Sequence, residues 1–214
     1  MKNKIFLIII ASVVFVGHAQ EVAVIKYKGG GDWYSNPTAL PNLVKYCNDN
    51  IDTNISEQIA TVEPGSTDIF QYPLLHMTGH GNVFFSEEEA ENLRLYLLSG
   101  GFIHVDDNYG MKPYITSEIK KVFPNKELVT IPKDHPIFSM AYNFPNGLPK
   151  IHEHDGKAPE AQGIFDEERL LVLFTFESDL GDGWEDQEVH NDPEEVRQKA
   201  LRMGANIVKY AFEN

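Results

Sequence analysis

Cysteine is nearly absent: Cys47 is the one thiol in 214 residues. An intramolecular disulfide is therefore excluded, and stability has to come from a packed core. Positive charge is also scarce, with 18 Lys and Arg against 32 Asp and Glu and a formal net charge of −14. A chain this acidic repels phosphate backbones and anionic lipid, which argues against a nucleic-acid partner. Nucleotide signatures are missing as well. The run "GGGDWYS" (Gly29 to Ser35) has neither the G-K-[ST] ending of a phosphate loop nor the G-x-G-x-x-G spacing of a dinucleotide fold. No H-E-x-x-H pattern occurs, and neither an internal repeat nor a low-complexity tract is present.

Only one long apolar run exists, from Ile5 to Val16, with Lys2 and Lys4 before it and Gly17, His18 and Ala19 after it. It is about 12 residues long, against the roughly 20 that a membrane-spanning helix needs. Small residues at Gly17 and Ala19 complete the pattern of a secretory signal peptide over residues 1–19, cleaved before Gln20. No cysteine stands at that junction to carry a lipid anchor. The expectation is an exported, periplasmic or extracellular protein, free of the membrane after cleavage, whose residues 20–214 form one domain. Loss of Lys2 and Lys4 takes its formal charge from −14 to −16.

Within that domain, strand-like and helix-like stretches alternate. "EVAVIKYKGGG" is a short apolar strand ending in glycines, and Leu40, Leu43, Val44 and Cys47 follow at helical spacing. Leu74 to Thr78 reads as a strand closed by the Gly79-His80-Gly81 turn. In "SEEEAENLRLYLLSGG", Ser86 and Glu89 form a capping box and Gly100-Gly101 ends the helix. Phe102 to Val105 is the next strand, "KPYITSEIKKVF" a helix and "ELVTIP" a strand, followed by a long proline-rich and aromatic connection. "AQGIF" and "RLLVLFTF" can pair as a hairpin, and a last helix starts with Asp192 as N-cap and Pro193 at its first position. This alternation predicts an α/β fold, a three-layer sandwich with a mainly parallel sheet. Ligands of such sheets gather at the C-terminal ends of the strands. Three segments should meet there: Gly29 to Asp32, Gly79 to Gly81, and Asp106 to Gly110.

Four stretches could carry chemistry. In "FIHVDDNYG", Asp106 and Asp107 lie at the end of a buried strand, where a carboxylate is costly unless paired. They read as metal ligands, general bases or acceptors for a polar ligand, or else as acceptors for the turn's own amides. "KIHEHDGK" (Lys150 to Lys157), taken as a strand, puts His152 and His154 on one face about 6.5 Å apart, suited to one metal or to one substrate. Structural hydrogen bonding is the alternative. "FESDLGDGWEDQEVHND" gathers Asp179 and seven other acidic or histidine side chains around Trp184. Its order breaks the calcium-loop pattern at Gly181, so it is either a solvated acidic loop leading into the last helix or a segment in which Trp184 packs or offers a ring for a ligand to lie against. Trp33, beside the glycine run, would suit a flat polar ligand or simply anchor its loop.

The segments "GGFIHVDDNYGMKPY", "DHPIF", "GLPKIHEHDG", "ESDLGDGWED" and "HNDP...ALRMGANIVKYA" closely resemble a bacterial domain-of-unknown-function family, the one numbered four-one-five-nine. That family looks related to the class I glutamine amidotransferase-like superfamily, whose flavodoxin-like sheet also houses trehalose-utilisation-like proteins. The resemblance implies the fold already read from the alternation. Amidotransferases place a nucleophilic cysteine after a central strand, but here Asp106, Asp107 and Asn108 follow that strand and Cys47 sits in the first helix. Gly79-His80-Gly81 takes the place of the oxyanion turn.

Two functions remain. The first is binding of a small polar ligand, carbohydrate-like or another hydrophilic molecule, by Gly79, Gly81, Asn108, Tyr109, Trp33, Asp179 and Trp184. The second is a hydrolase in which Asp106 or Asp107 acts with His80 or His154, with His152, His154 and Asp106 around a divalent metal.

Overall fold

A computed structural model describes residues 20–214, so the signal peptide expected over residues 1–19 lies outside the described residues. The chain order is β1 (Val22–Ile25), α1 (Ala39–Asn50), β2 (Ala60–Val62), β3 (Leu74–His80), α2 (Glu87–Leu98), β4 (Phe102–Tyr109), α3 (Lys112–Val122), β5 (Val129–Thr130), β6 (Glu160–Asp166), β7 (Arg169–Phe176), α4 (Leu180–Trp184), α5 (Gln187–His190) and α6 (Glu194–Glu213). One sheet takes all the strands in the order β2-β1-β3-β4-β7-β6-β5. The first five are mutually parallel, and β6 and β5 extend the sheet antiparallel.

Helices cover both faces. Leu40, Leu43, Val44 and Cys47 of α1 bury the apolar stripe anticipated for them, together with α4, α6 and sheet residues Val22, Leu74, Phe102 and Leu173. On the opposite face α2 and α3 pack on Ala23, Leu75, Met77, Ile103 and Val105. Alternation along β3 and β4 thus sends successive side chains to different layers, as a pleated strand must. The three-layer α/β arrangement with a mostly parallel sheet is as expected, and so are the capping box of Ser86 and Glu89 and the hairpin of β6 with β7.

Three local expectations need correction. Lys150 to Lys157 is an irregular loop and not a strand, because its amides go elsewhere: those of Ile151 and His152 both donate to Ser178 O. The acidic stretch after β7 is not a solvated loop. It folds into α4 and α5, since Leu180 and Trp184 are buried against α6. Asp192 does not cap α6; Pro193 occupies that position, and both Asp192 oxygens accept from His152 Nε2 at 2.8 and 2.9 Å.

Candidate functional site

Parallel strands that end together deliver their last residues to one rim, and here β4 supplies the most polar of them. Pleating divides its two aspartates. Asp106 faces the α1, α4 and α6 layer, where Oδ1 accepts from Thr175 Oγ1 at 2.6 Å and Oδ2 from the Gly181 amide at 2.6 Å. Full burial pushes its carboxyl up to about 7 against those two hydrogen bonds, with the neighbouring Asp182 and Asp107 charges adding to the rise. Asp107 faces the other layer and accepts from the Met111 and Lys112 amides, each at 2.8 Å. Both its oxygens are thereby committed to the N-terminus of α3, the local role that competes with catalysis. Asn108 turns back toward Asp106's side: its Oδ1 accepts from Thr78 Oγ1 at 2.7 Å, and its Nδ2 donates to Asn36 Oδ1 at 2.8 Å.

The end of β7 is strained. Glu177 and Asp179 both adopt left-handed backbone, at φ 55° and 58°, as does Asn36 at 56°. Asparagine and aspartate tolerate that region better than most residues, but glutamate does not, and such clusters occur where a site over-determines its backbone. Asp179 is wholly buried, and neither oxygen finds a hydrogen-bond donor in good geometry. The polar contact it does make is with His154 Nε2. Burial, then the adjacent Asp106 and Asp182, push its carboxyl up to about 8, so its neutral form is favoured over the charged one.

His154 borders a cleft of about 260 Å³ with Asp107, Asn108, Tyr109, Lys112, Lys157 and Glu177. Tyr109 lies tilted against it with ring centroids 5.0 Å apart and donates from its hydroxyl to Asp155 at 3.2 Å. Lys112 Nζ lies 3.5 Å above the centre of the Phe176 ring at the same cleft.

His152 belongs to a neighbouring network. Its Nδ1 lies 3.0 Å from Asp182 Oδ2 while its Nε2 faces Asp192, and the two carboxylates, Asp182 first, hold the imidazole up to about 9. Asp182 is in turn anchored by Asn36 Nδ2 at 2.6 Å, and His190 Nε2 stands 3.0 Å from Glu185 Oε2. The trio His152, His154 and Asp106 is therefore not assembled around a common point: each has its own partners. The group that does converge is His152, Asp182 and His190, with one ligand atom from each within 4.8 Å of the others. Those last two came from the acidic stretch, whose sequence did not single them out.

The remaining candidates divide by environment. Gly79, at φ 140°, is packed so closely that a Cβ there would lie 2.3 Å from Tyr27 Oη. The amide of His80 donates to Asp32 Oδ1 at 2.5 Å and its ring to Oδ2 at 2.9 Å, so this turn's amide is already occupied and is not an oxyanion donor. Gly81 faces open space. Trp33 lines a separate cleft. Trp184 is a core residue and not a ligand platform, 1% exposed with Nε1 donating to Ala200 O at 2.8 Å. Cys47 is buried, which pushes its thiol up to about 12.

Fold and site together define an α/β protein with polar clefts on the C-terminal rim of a mostly parallel sheet. The chain belongs to the family described as "Domain of unknown function (DUF4159)", whose model matches residues 21–212. No curated protein matches it.

Proposed function

We propose that the protein binds a small polar ligand of carbohydrate-like character in the cleft beside β4, β7 and residues 152–157, without cysteine-dependent amide transfer. The observation that carries this reading is the mixed lining of the cleft. Lys112 and Lys157 offer donors, Asp155 and Glu177 offer acceptors, and the half-exposed Tyr109 ring offers a flat apolar surface. A polyhydroxylated molecule uses all three at once. The buried, proton-bearing thiol of Cys47 supports the exclusion of a thioester route. The strand order β2-β1-β3-β4-β7 supports a flavodoxin-like winding akin to the class I glutamine amidotransferase-like superfamily and the trehalose-utilisation-like proteins. Export through the leader over residues 1–19 would place the ligand outside the cytoplasm.

A second reading, a metal-assisted or Asp/His-dependent hydrolase, is favoured by His152, Asp182 and His190. Asp192 on the other nitrogen of His152 and Asn36 on Asp182 Oδ1 are partners of the kind that orient metal ligands.

Calorimetry against neutral sugars, sugar acids and amino acids tests the first reading. Affinity for at least one of them should fall about tenfold or more in Lys157→Ala and in His154→Ala, the loss of one charge-assisted hydrogen bond. If nothing in the panel binds, or if both variants bind as well as the parent, the cleft is not the site. Elemental analysis after dialysis against zinc, manganese or calcium tests the second. Near-stoichiometric metal that His190→Ala abolishes supports a hydrolase, and a metal-free protein removes the metal-assisted route.

A further inference from the structure

Residues 150–157 supply His154, Asp155 and Lys157 to the ligand cleft, yet the sheet does not hold them. The amides of Ile151 and His152 donate to Ser178 O, and among the described residues no backbone–backbone hydrogen bond involves an amide from Glu153 to Lys157. Beyond His152 the segment is therefore positioned by side chains. His152 is the most heavily tied of them, spanning Asp182 of α4 and Asp192 beyond α5.

The partners of His152 fix its tautomer. Both Asp192 oxygens accept from Nε2, at 2.8 and 2.9 Å, so Nε2 carries a hydrogen. Nδ1 then faces Asp182 Oδ2 at 3.0 Å, and a nitrogen lone pair does not rest that close to a carboxylate unless a proton or a metal ion lies between them. The other oxygen of Asp182 stands 3.7 Å from His190 Nε2. A proton joins one such pair, whereas a divalent ion joins all three groups at once.

The spacing suits an ion. Ligand atoms about 2.0–2.2 Å from a tetrahedral centre stand about 3.3–3.6 Å from one another, and the observed 3.0 and 3.7 Å bracket that separation. The side chains of His152, Asp182 and His190 are 22%, 14% and 29% exposed, so an ion reaches them from solvent. Two imidazole nitrogens and one carboxylate suit zinc better than calcium or magnesium, which prefer oxygen ligands. None of the three residues lines the ligand cleft. They come instead from residues 150–157, α4 and α5, three segments that one ion would fasten together.

We infer that zinc held by His152 Nδ1, Asp182 and His190 Nε2 is a clip that fixes residues 150–157 and so sets His154 and Lys157 in place at the ligand cleft. The inference rests on the metal trio of the second reading and gives its metal a fastening role in place of a chemical one. Ligand binding in the cleft thereby becomes dependent on the metal, although ligand and metal do not touch.

Zinc alone, with trypsin as the reporter, tests the clip on the purified protein. Calorimetry should show near-stoichiometric zinc, and calcium should bind at least about hundredfold more weakly. At zinc about 100 times its Kd, an opening that separates His152 from Asp182 becomes about a hundredfold rarer. Cleavage after Lys157 should then slow at least about tenfold, with a short unstructured peptide as the control for trypsin itself. His190→Gln, at an exposed position outside the core, should weaken zinc at least about hundredfold, more than loss of an outer partner costs, and remove most of the protection. Absence of zinc binding would remove both the clip and the metal-assisted reading. Stoichiometric zinc with unchanged cleavage would overturn the clip and leave the metal reading standing, and protection that survives in full in His190→Gln would overturn the ligand set.

Discussion

Asp179 combines two unfavourable features at one residue: left-handed backbone at φ 58° and a buried carboxyl without a well-aligned donor. Strain of this kind persists where function retains it. Asparagine keeps the shape, tolerates the left-handed region and cannot ionise. Asp179→Asn should therefore be more stable than the parent above pH 8, where the parent must carry a buried charge, and closer to it at pH 6. Urea unfolding at the two pH values measures the difference. Equal stability at both would mean that Asp179 is not the costly group described above. The same substitution should weaken any ligand held through His154.

At the scale of elements, the approach of α6 to α1 and α4 depends on Gly204. A Cβ there would lie 2.5 Å from Leu43 Cδ1 and 2.9 Å from the Trp184 ring. Alanine improves helix propensity by about 1 kcal/mol, but forcing a methyl into a packed core costs about 1–3 kcal/mol. Packing wins, so Gly204→Ala should lower stability by about 1 kcal/mol in urea titrations, and a more stable variant would contradict the tight fit. Such contacts were not legible beforehand. The capping box of Ser86 and Glu89 could be read because its partners are three residues apart. The His152 to Asp192 pair spans a loop whose path no periodicity predicts, and the wrong assumption there, a strand over residues 150–157, put both histidines on one face. His76 and His104, both buried, escaped notice because each alone resembles a stray polar residue in an apolar strand. Only the register of β3 on β4 makes them a pair.

For the whole molecule, layer order and the polar rim were readable from alternation, since strands and helices must bury opposite faces. Which aspartate faced which layer was not. The assembled charges also set a pH profile. Asp106, raised to about 7, and Asp179, raised to about 8, contribute stability that is complete below the ordinary carboxylate value and lost as pH rises through those numbers. His152 acts in the same sense: its contribution is complete below about 6.5 and disappears as pH passes about 9. Asp182, held low by its histidine and asparagine partners once its own desolvation is outweighed, opposes them only in acid. Burial holds His76 and His104 neutral and below the ordinary imidazole value, so their contribution runs the other way, present above about 6.5 and lost as pH falls. Unfolding free energy should therefore decline between about pH 7.5 and pH 9, where the raised groups alone still titrate, and a flat or rising curve there would refute the assignment.

The sheet ends in strands of three residues at β2 and two at β5. A neighbouring copy looking for backbone partners meets a ladder of one or two rungs, and a strongly acidic surface repels it first. Short edge strands and acidic charge together disfavour fibre growth by strand addition, so crowded solutions of this protein should stay clear where a longer-edged sheet would gel.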